Sequence, residues 1–277
     1  MSKILLSAFA DEYNSDIDIQ IKMLHKNNIG YIEPRFIGTK NIADLTVEEA
    51  RELKTKLGNI KVSSIGSPLG KINLADNFEE HLEKTKRVLE TASILDTKNV
   101  RMFSFYLHEG KSREECRGEV IEKLGRMIEF AKEYKINLCH ENEAKIYGES
   151  PDKCLDLLET FKGDLKCVFD MGNFVLDGCD PLKGYEMLKN YIEYFHIKDS
   201  LPEGAIVPPG LGKGHIKEIL DAYSKDFNRD FLITLEPHLQ TFDGFNALTD
   251  STFDNPYKYE TQEEAFLDAL EKLRKIL

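Results

Sequence analysis

The sequence predicts one (β/α)₈ barrel domain spanning residues 1–277, and three observations point there. The hydrophobic period switches back and forth between strand and helix spacing along the whole chain, giving eight strand-like stretches that alternate with eight helix-like ones. The turn after the first strand, ADEYNSD, has no glycine, whereas an open doubly wound sheet usually has a glycine-rich turn at that point. The last four strand-like stretches end in polar residues, as strands do when they open into a site at the C-terminal face of a barrel.

Taken in order, ILLSAFA (Ile4 to Ala10) is the first strand. The opening MSKILLSAFA is read as that strand and not as a secretory signal, since such a signal occupies roughly 15 to 30 residues. Ile17, Ile21 and Leu24 recur at helical spacing between Asp16 and Asn28, and Gly30 is expected to stop that helix. GYIEPRF is the second strand. Thr46 followed by Glu49 is a capping-box signature for the next helix. VSSIGSP (Val62 to Pro68) is the third strand, Phe78 to Leu95 a helix, NVRMFSFY (Asn99 to Tyr106) the fourth strand, and Glu114 to Tyr134 a long amphipathic helix.

INLCHENE (Ile136 to Glu143), LKCVFDMG (Leu165 to Gly172), IEYFHIKD (Ile192 to Asp199) and DFLITLEPH (Asp230 to His238) follow as strands five to eight. Helices at Pro151 to Phe161, Pro181 to Lys189 and Ile216 to Tyr223 separate them, and Thr261 to Leu277 closes the chain. Both prolines stand in a first helical turn, where proline is best tolerated. The one long irregular piece, Leu239 to Tyr259, holds five aromatic residues. Its length marks it as functional, either a lid over the site or a contact with a neighbouring subunit.

Composition limits the partners. The net charge is −12, a sign that repels phosphate backbones and anionic lipid, so neither nucleic acid nor membrane is an expected partner. The five cysteines have no CxxC spacing and are read as reduced thiols of a cytoplasmic protein. A homo-oligomer is compatible with the sequence, which does not fix the assembly.

Side chains alternate between the two faces of a strand. Glu141 therefore shares a face with Glu143, His196 with Lys198, and Glu236 with His238, while His140 points to the outer, helix-facing side. At neighbouring strand ends, Glu141, Asp170, His196 and Glu236 can converge on one point. Carboxylates buried together without a cation repel and are costly to desolvate. Three carboxylates and one imidazole suit a hard or borderline divalent ion with open positions, Mn²⁺, Mg²⁺ or Co²⁺ in preference to structural Zn²⁺. Taken singly, each residue has a plainer reading: Asp170 as a helix cap, His196 as a satisfied core residue, Lys198 as an exposed lysine. Glu143 and His238 are candidates to contact sugar hydroxyls or to support the ligands. Arg101 and Glu33 are read as barrel-interior partners.

The Glu in CHENE, the Asp in FDMGN, and HIKD, GLGKG and LEPH together give a resemblance to the xylose isomerase-like sugar-phosphate isomerase/epimerase superfamily. Within it the chain is similar to the group of D-tagatose 3-epimerase, inosose dehydratase and hydroxypyruvate isomerase. The resemblance implies that Glu141, Asp170, His196 and Glu236 bind one divalent ion, with Mn the first expectation and Mg, Co or Zn compatible. It also implies that Glu141 and Glu236 flank a small sugar or polyol substrate as an acid/base pair. The sequence departs from the epimerase pattern at Asn173, where that group has a substrate-holding histidine, and at Pro202, where it has an arginine. Asn173 is kept as a candidate substrate contact by position. HIKD is closer to the dehydratase side, where Lys198 would meet a substrate oxygen.

The implied chemistry is proton abstraction next to a carbonyl, forming an enediolate whose charge a divalent ion stabilises. Proton return gives an isomerase or epimerase; loss of a β-substituent gives a dehydratase or lyase acting on a keto-inositol or keto-sugar. Two other classes are weaker. An apurinic endonuclease-like site needs many more histidine ligands than the seven histidines of this chain can place at strand ends, together with a basic groove. A non-catalytic sugar-binding barrel would leave a complete ligand set without use. PPGLGKG (Pro208 to Gly214) is expected either to offer backbone donors to a sugar or phosphate or to form a tight turn. With few basic residues near the site, the substrate is expected to carry no phosphate.

Overall fold

The structure is a computed structural model that describes residues 2–240 and 256–277. Its barrel strands are β1 (Ile4–Ala8), β2 (Tyr31–Ile32), β3 (Lys61–Val62), β4 (Asn99–Met102), β5 (Asn137–Glu141), β6 (Leu165–Asp170), β7 (Ile192–Ile197) and β8 (Phe231–Leu235). Strands β4 to β8 pair in parallel in chain order, and β8 pairs with β1. β2 pairs with β3. Two links close the ring. The Glu33 N–H donates to the Ala8 carbonyl at 3.0 Å, and Ile65, just past β3, bridges in parallel to Val100 of β4.

Around this ring lie α1 (Ile17–Lys26), α2 (Val47–Leu57), α3 (Phe78–Ile94), α4 (Arg113–Tyr134), α5 (Pro151–Phe161), α6 (Met171–Leu176), α7 (Pro181–Leu188), α8 (Ile216–Phe227) and α9 (Gln262–Ile276). Their starts follow from local chemistry. Thr46 with Glu49 and Ser112 with Glu115 form complete capping boxes, and Pro151 and Pro181 occupy first-turn positions. α8 buries Ile216, Ile219, Leu220 and Tyr223, an i, i+3, i+4, i+7 stripe that faces the sheet.

Alternation along the strands divides the core in two. Cys139, Val168 and Tyr194 pack with Leu232 inside the barrel. Leu138, Phe169, Phe195, Ile197, Ile233 and Leu235 belong to the larger core under the helices. None of the helices is long and apolar enough to cross a membrane among the described residues.

Several expected boundaries are corrected. β2, β3 and β4 are shorter than the sequence predicts, because the chain leaves the sheet at prolines and turns: Pro34 and Pro68 follow the short strands, and Phe105 takes a positive φ of 66°. α1 ends at Asn27 and Asn28, the latter with φ 52°, before Gly30 is reached. β6 stops at Asp170 instead of Gly172, and MGNFVL coils at once into α6, a helix beyond the eight expected. Of the Leu239 to Tyr259 segment, residues 241–255 lie outside the described residues.

Candidate metal centre and active site

Strand register assembles the site. Asp170 is the direct neighbour of His196 across β6 and β7, and Thr234 is the neighbour of His196 across β7 and β8. Glu236, two residues past Thr234 and on the same face, therefore overhangs His196. Glu141 pairs with Val168, so it sits one inward layer below Asp170. One ligand atom from each of Glu141, Asp170, His196 and Glu236 lies within 4.8 Å of all the others, and all four residues are buried.

The contacts within this group fit a divalent cation. His196 Nδ1 is 2.9 Å from Glu141 Oε1 and 3.2 Å from Glu236 Oε2. One buried oxygen on each carboxylate, Glu141 Oε2, Asp170 Oδ2 and Glu236 Oε2, accepts no hydrogen bond. Each of these oxygens faces a cationic group, Arg101 Nη1 at 3.2 Å, Lys198 Nζ at 3.1 Å and His196 Nδ1 at 3.2 Å respectively, and with the imidazole the three carboxylates form the oxygen-rich donor set that divalent ions take. Electrostatics reflect the same crowding. Burial, with Glu141 and Glu236 close by, pushes Asp170 up to about 7 against the pull of Lys198. Burial opposes charge on His196, but Glu141, Glu33 and Glu236 outweigh it and hold the imidazole well above its usual range. Glu236 goes the other way: burial works against its charge, and Lys198, His238 and His196 together keep it well below the usual carboxylate range.

Asp170 does two jobs with two oxygens. Oδ1 accepts the Asn173 N–H at 2.8 Å and caps α6, while Oδ2 faces the cluster. The cap reading and the ligand reading are thus compatible in one side chain.

A layer of fully buried charge surrounds the four. Arg101 Nη1 lies 3.2 Å from Glu141 and 3.8 Å from Glu236. Arg35 bridges Asp11 at 2.9 Å, Glu12 at 3.1 Å and Glu236 at 3.0 Å. Both guanidinium groups lie over the Phe9 ring, 4.3 Å and 5.0 Å from its centroid, and the edge of that ring meets His196. Below, Glu33 faces His196 Nε2 at 3.2 Å. Glu12, Glu236 and His238 also offer three atoms close enough for an ion, but the Arg35 guanidinium already stands among them and supplies the positive charge.

The other predicted residues divide. Lys198 is 4% exposed, with Nζ 3.1 Å from Asp170 Oδ2 and 3.9 Å from Glu236, so it is not a surface lysine. A Cβ at Gly172 would lie 2.7 Å from the Lys198 carbonyl oxygen and 2.9 Å from its Cγ; the glycine lets the start of α6 approach the chain at Lys198. His238 Nε2 lies 3.3 Å from Glu12 and 3.4 Å from Glu236, and its backbone N–H donates to Glu12, which holds the residue at a positive φ of 47°. Glu143 pairs with Lys71 at 2.9 Å, on the rim. The Asn173 amide donates to the Asn142 carbonyl, so that side chain braces the strand ends. His140 faces outward and meets Ser104 Oγ at 2.9 Å. In PPGLGKG, the N–H groups of Gly210, Gly212 and Gly214 all donate to the Asp199 carboxylate at 2.8 to 2.9 Å. The expected donors are already occupied.

Sequence reading missed Phe9, Asp11 and Glu12, all within or beside the first loop and all at most 4% exposed. The available signal was weak: ADE follows an apolar strand end and resembles an exposed acidic run.

Comparison with known proteins agrees on the fold. The chain is 21% identical over 201 residues, 72% of this chain and 68% of the relative, to 3-dehydroshikimate dehydratase of Bacillus anthracis. D-allulose 3-epimerase from Methylomonas sp. superposes with a TM-score of 0.77 at 15% identity, covering 100% of this chain and 99% of that one. The IOLI protein with a binding zinc atom superposes with a TM-score of 0.74 at 19% identity, covering 99% and 97%. The profile of the family described as xylose isomerase-like TIM barrel matches residues 21–276, and the chain belongs to that family.

Proposed function

We propose that the protein is a divalent-metal-dependent enzyme that abstracts a proton next to the carbonyl of a sugar or polyol derivative, acting as an isomerase or epimerase. The observation that carries this reading is the convergence of Glu141, Asp170, His196 and Glu236, all buried, with one ligand atom of each within 4.8 Å of the others and with one oxygen of each carboxylate accepting no hydrogen bond. Those four residues would hold the ion. When bound, the ion supplies the positive charge that lowers the energy of an enediolate. Glu141 and Glu236 would remove and return the proton, each held in place by Arg101 and His196. The epimerase and the zinc-holding protein among the structural relatives are in keeping with this chemistry. Manganese is the proposed ion, and zinc or magnesium also suits the donor set.

A second reading, a dehydratase, is favoured by Lys198. A buried ammonium beside the site can donate to a departing hydroxyl after enolisation, and the dehydratase relative lends it support. The test has two stages. Metal content is measured by mass spectrometry on protein purified without chelator or affinity metal, with Asp170→Asn as control. The loaded protein is then incubated with keto-sugars and keto-inositols in deuterated water. About one ion per chain, lost in the variant, with deuterium entering next to the carbonyl, supports enolisation. Product that keeps every oxygen indicates isomerisation or epimerisation, and loss of water indicates the dehydratase. Absence of bound metal after manganese addition would sink both.

A further inference from the structure

We propose that Glu33 is a positioning residue that holds His196 with Nδ1 turned to the metal; the inference rests on the metal site proposed above. The two ring nitrogens of His196 have different surroundings. Nδ1 faces Glu141 and Glu236, whereas Nε2 lies 3.2 Å from Glu33 Oε2 on the far side of the ring. Both ring nitrogens face carboxylates, which only accept hydrogen bonds, so both carry hydrogens while no ion is bound; were an ion to take the place of the Nδ1 hydrogen, Glu33 would keep the remaining ring hydrogen on Nε2 and leave the Nδ1 lone pair to the ion.

Glu33 is built to do this. Its Oε1 accepts the Tyr194 hydroxyl at 2.9 Å, and its Oε2 accepts the Thr234 hydroxyl at 2.7 Å. The Tyr194 oxygen is in turn 2.9 Å from Ser64 Oγ. Tyr194 lies two residues before His196 on the same inward face, and Thr234 is the strand neighbour of His196. The carboxylate is thus fixed by the same two strands that carry the imidazole. Glu33 and His196 are both 0% exposed, so the contact is shielded from bulk solvent. The rings of Phe9 and Tyr194 approach the imidazole at 5.1 Å and 5.4 Å between centroids, in edge geometry, and fix its plane.

A carboxylate behind a coordinating imidazole raises its basicity and fixes its orientation, and removing such a partner typically costs 10- to 100-fold in metal affinity. The rival role for Glu33 is to balance the charge of Arg101, but Arg101 makes its ion pairs with Glu141 and Glu236.

The experiment titrates Mn²⁺ alone into the full chain by calorimetry, using wild type, Glu33→Gln, Tyr194→Phe and Asp170→Asn. The ¹⁵N histidine spectrum of the zinc-loaded protein then reports the His196 tautomer. The expected result is one ion in wild type, about 10- to 100-fold weaker binding in Glu33→Gln, and an Nε2–H signal that is lost or shifted in that variant alone. Wild-type affinity and an unchanged signal in Glu33→Gln, with binding abolished in Asp170→Asn, would overturn the role of Glu33 and leave the metal site standing. No binding by wild type would remove the metal site and the inference with it. Should Glu33→Gln fail to fold, Tyr194→Phe, which keeps the carboxylate and deletes one of its donors, is expected to weaken binding several-fold, and unchanged affinity there overturns the proposal.

Discussion

Lys198 directs its ammonium group at Asp170, with Nζ 3.1 Å from an Oδ2 that accepts no hydrogen bond. The pair places a fixed positive charge beside the proposed ion, where it opposes metal binding and attracts a substrate oxygen. Lys198→Met is therefore expected to tighten Mn²⁺ binding by about tenfold, the effect of about 1.4 kcal/mol of relieved repulsion, while lowering turnover. Calorimetry and a kinetic assay on the same preparations check this. Weaker metal binding in the variant would mean that the lysine supports the ligand set.

Arg35 neutralises three carboxylates that have at most 3% side-chain exposure. Burial and nearby Glu236 and Asp11 already push Glu12 up to about 8 despite the guanidinium. Lysine cannot match the forked geometry. Arg35→Lys is expected to cost about 3 kcal/mol of stability, in the range for breaking a buried pair, read from urea denaturation. A change below about 1 kcal/mol would show that the three acids have other partners.

His81 accepts the Gly70 N–H on Nε2 at 2.9 Å, which requires the neutral ring. Burial, aided by Lys84 and Lys123, drops it to about 4 from 6.5. Because the folded value lies below the unfolded one, the unfolded state binds the extra proton. The stabilisation is thus complete above pH 6.5 and is lost as pH falls toward 4, a span worth about 3 kcal/mol. His81→Gln keeps an acceptor for Gly70 without a titrating group, and its stability should fall less steeply between those pH values. Parallel slopes in denaturation series would rule out His81 as the source.

A methyl group at Gly212 would lie 2.1 Å from Asp199 Oδ1. Gly212→Ala should therefore destabilise by about 2 kcal/mol, as forced repacking does, and expose the 202–214 loop to proteolysis. An unchanged melting curve with an intact loop would show that the turn can shift to make room.

Strand parity made much of the fold and site legible. Tyr194 and His196 on one face, with Phe195 and Ile197 on the other, are enough to say which side of β7 lines the barrel. What failed has local causes. Met171 and Gly172 read as more strand, yet Asp170, placed as the last inward residue, is also the side chain that starts the helix. Pairings between distant segments were less visible. Nothing in ADE announces that Arg35 lies on the same side of a closed ring, because that contact exists only after β1 and β2 meet. The pattern located β2 and β3 but overstated their lengths for a similar reason: bridges such as Ile65 to Val100 complete the ring where regular alternation has already ended.

The Asp199 carboxylate has one further consequence. With the N–H groups of Ser200, Gly210, Gly212 and Gly214 all turned onto its two oxygens, it satisfies those donors much as a bound phosphate would. The chain thus carries its own plug in a ready-made oxyanion cradle, and a phosphorylated sugar would have to expel that plug before using it. The turn is spent on holding its own loop, and its donors are not on offer to a ligand.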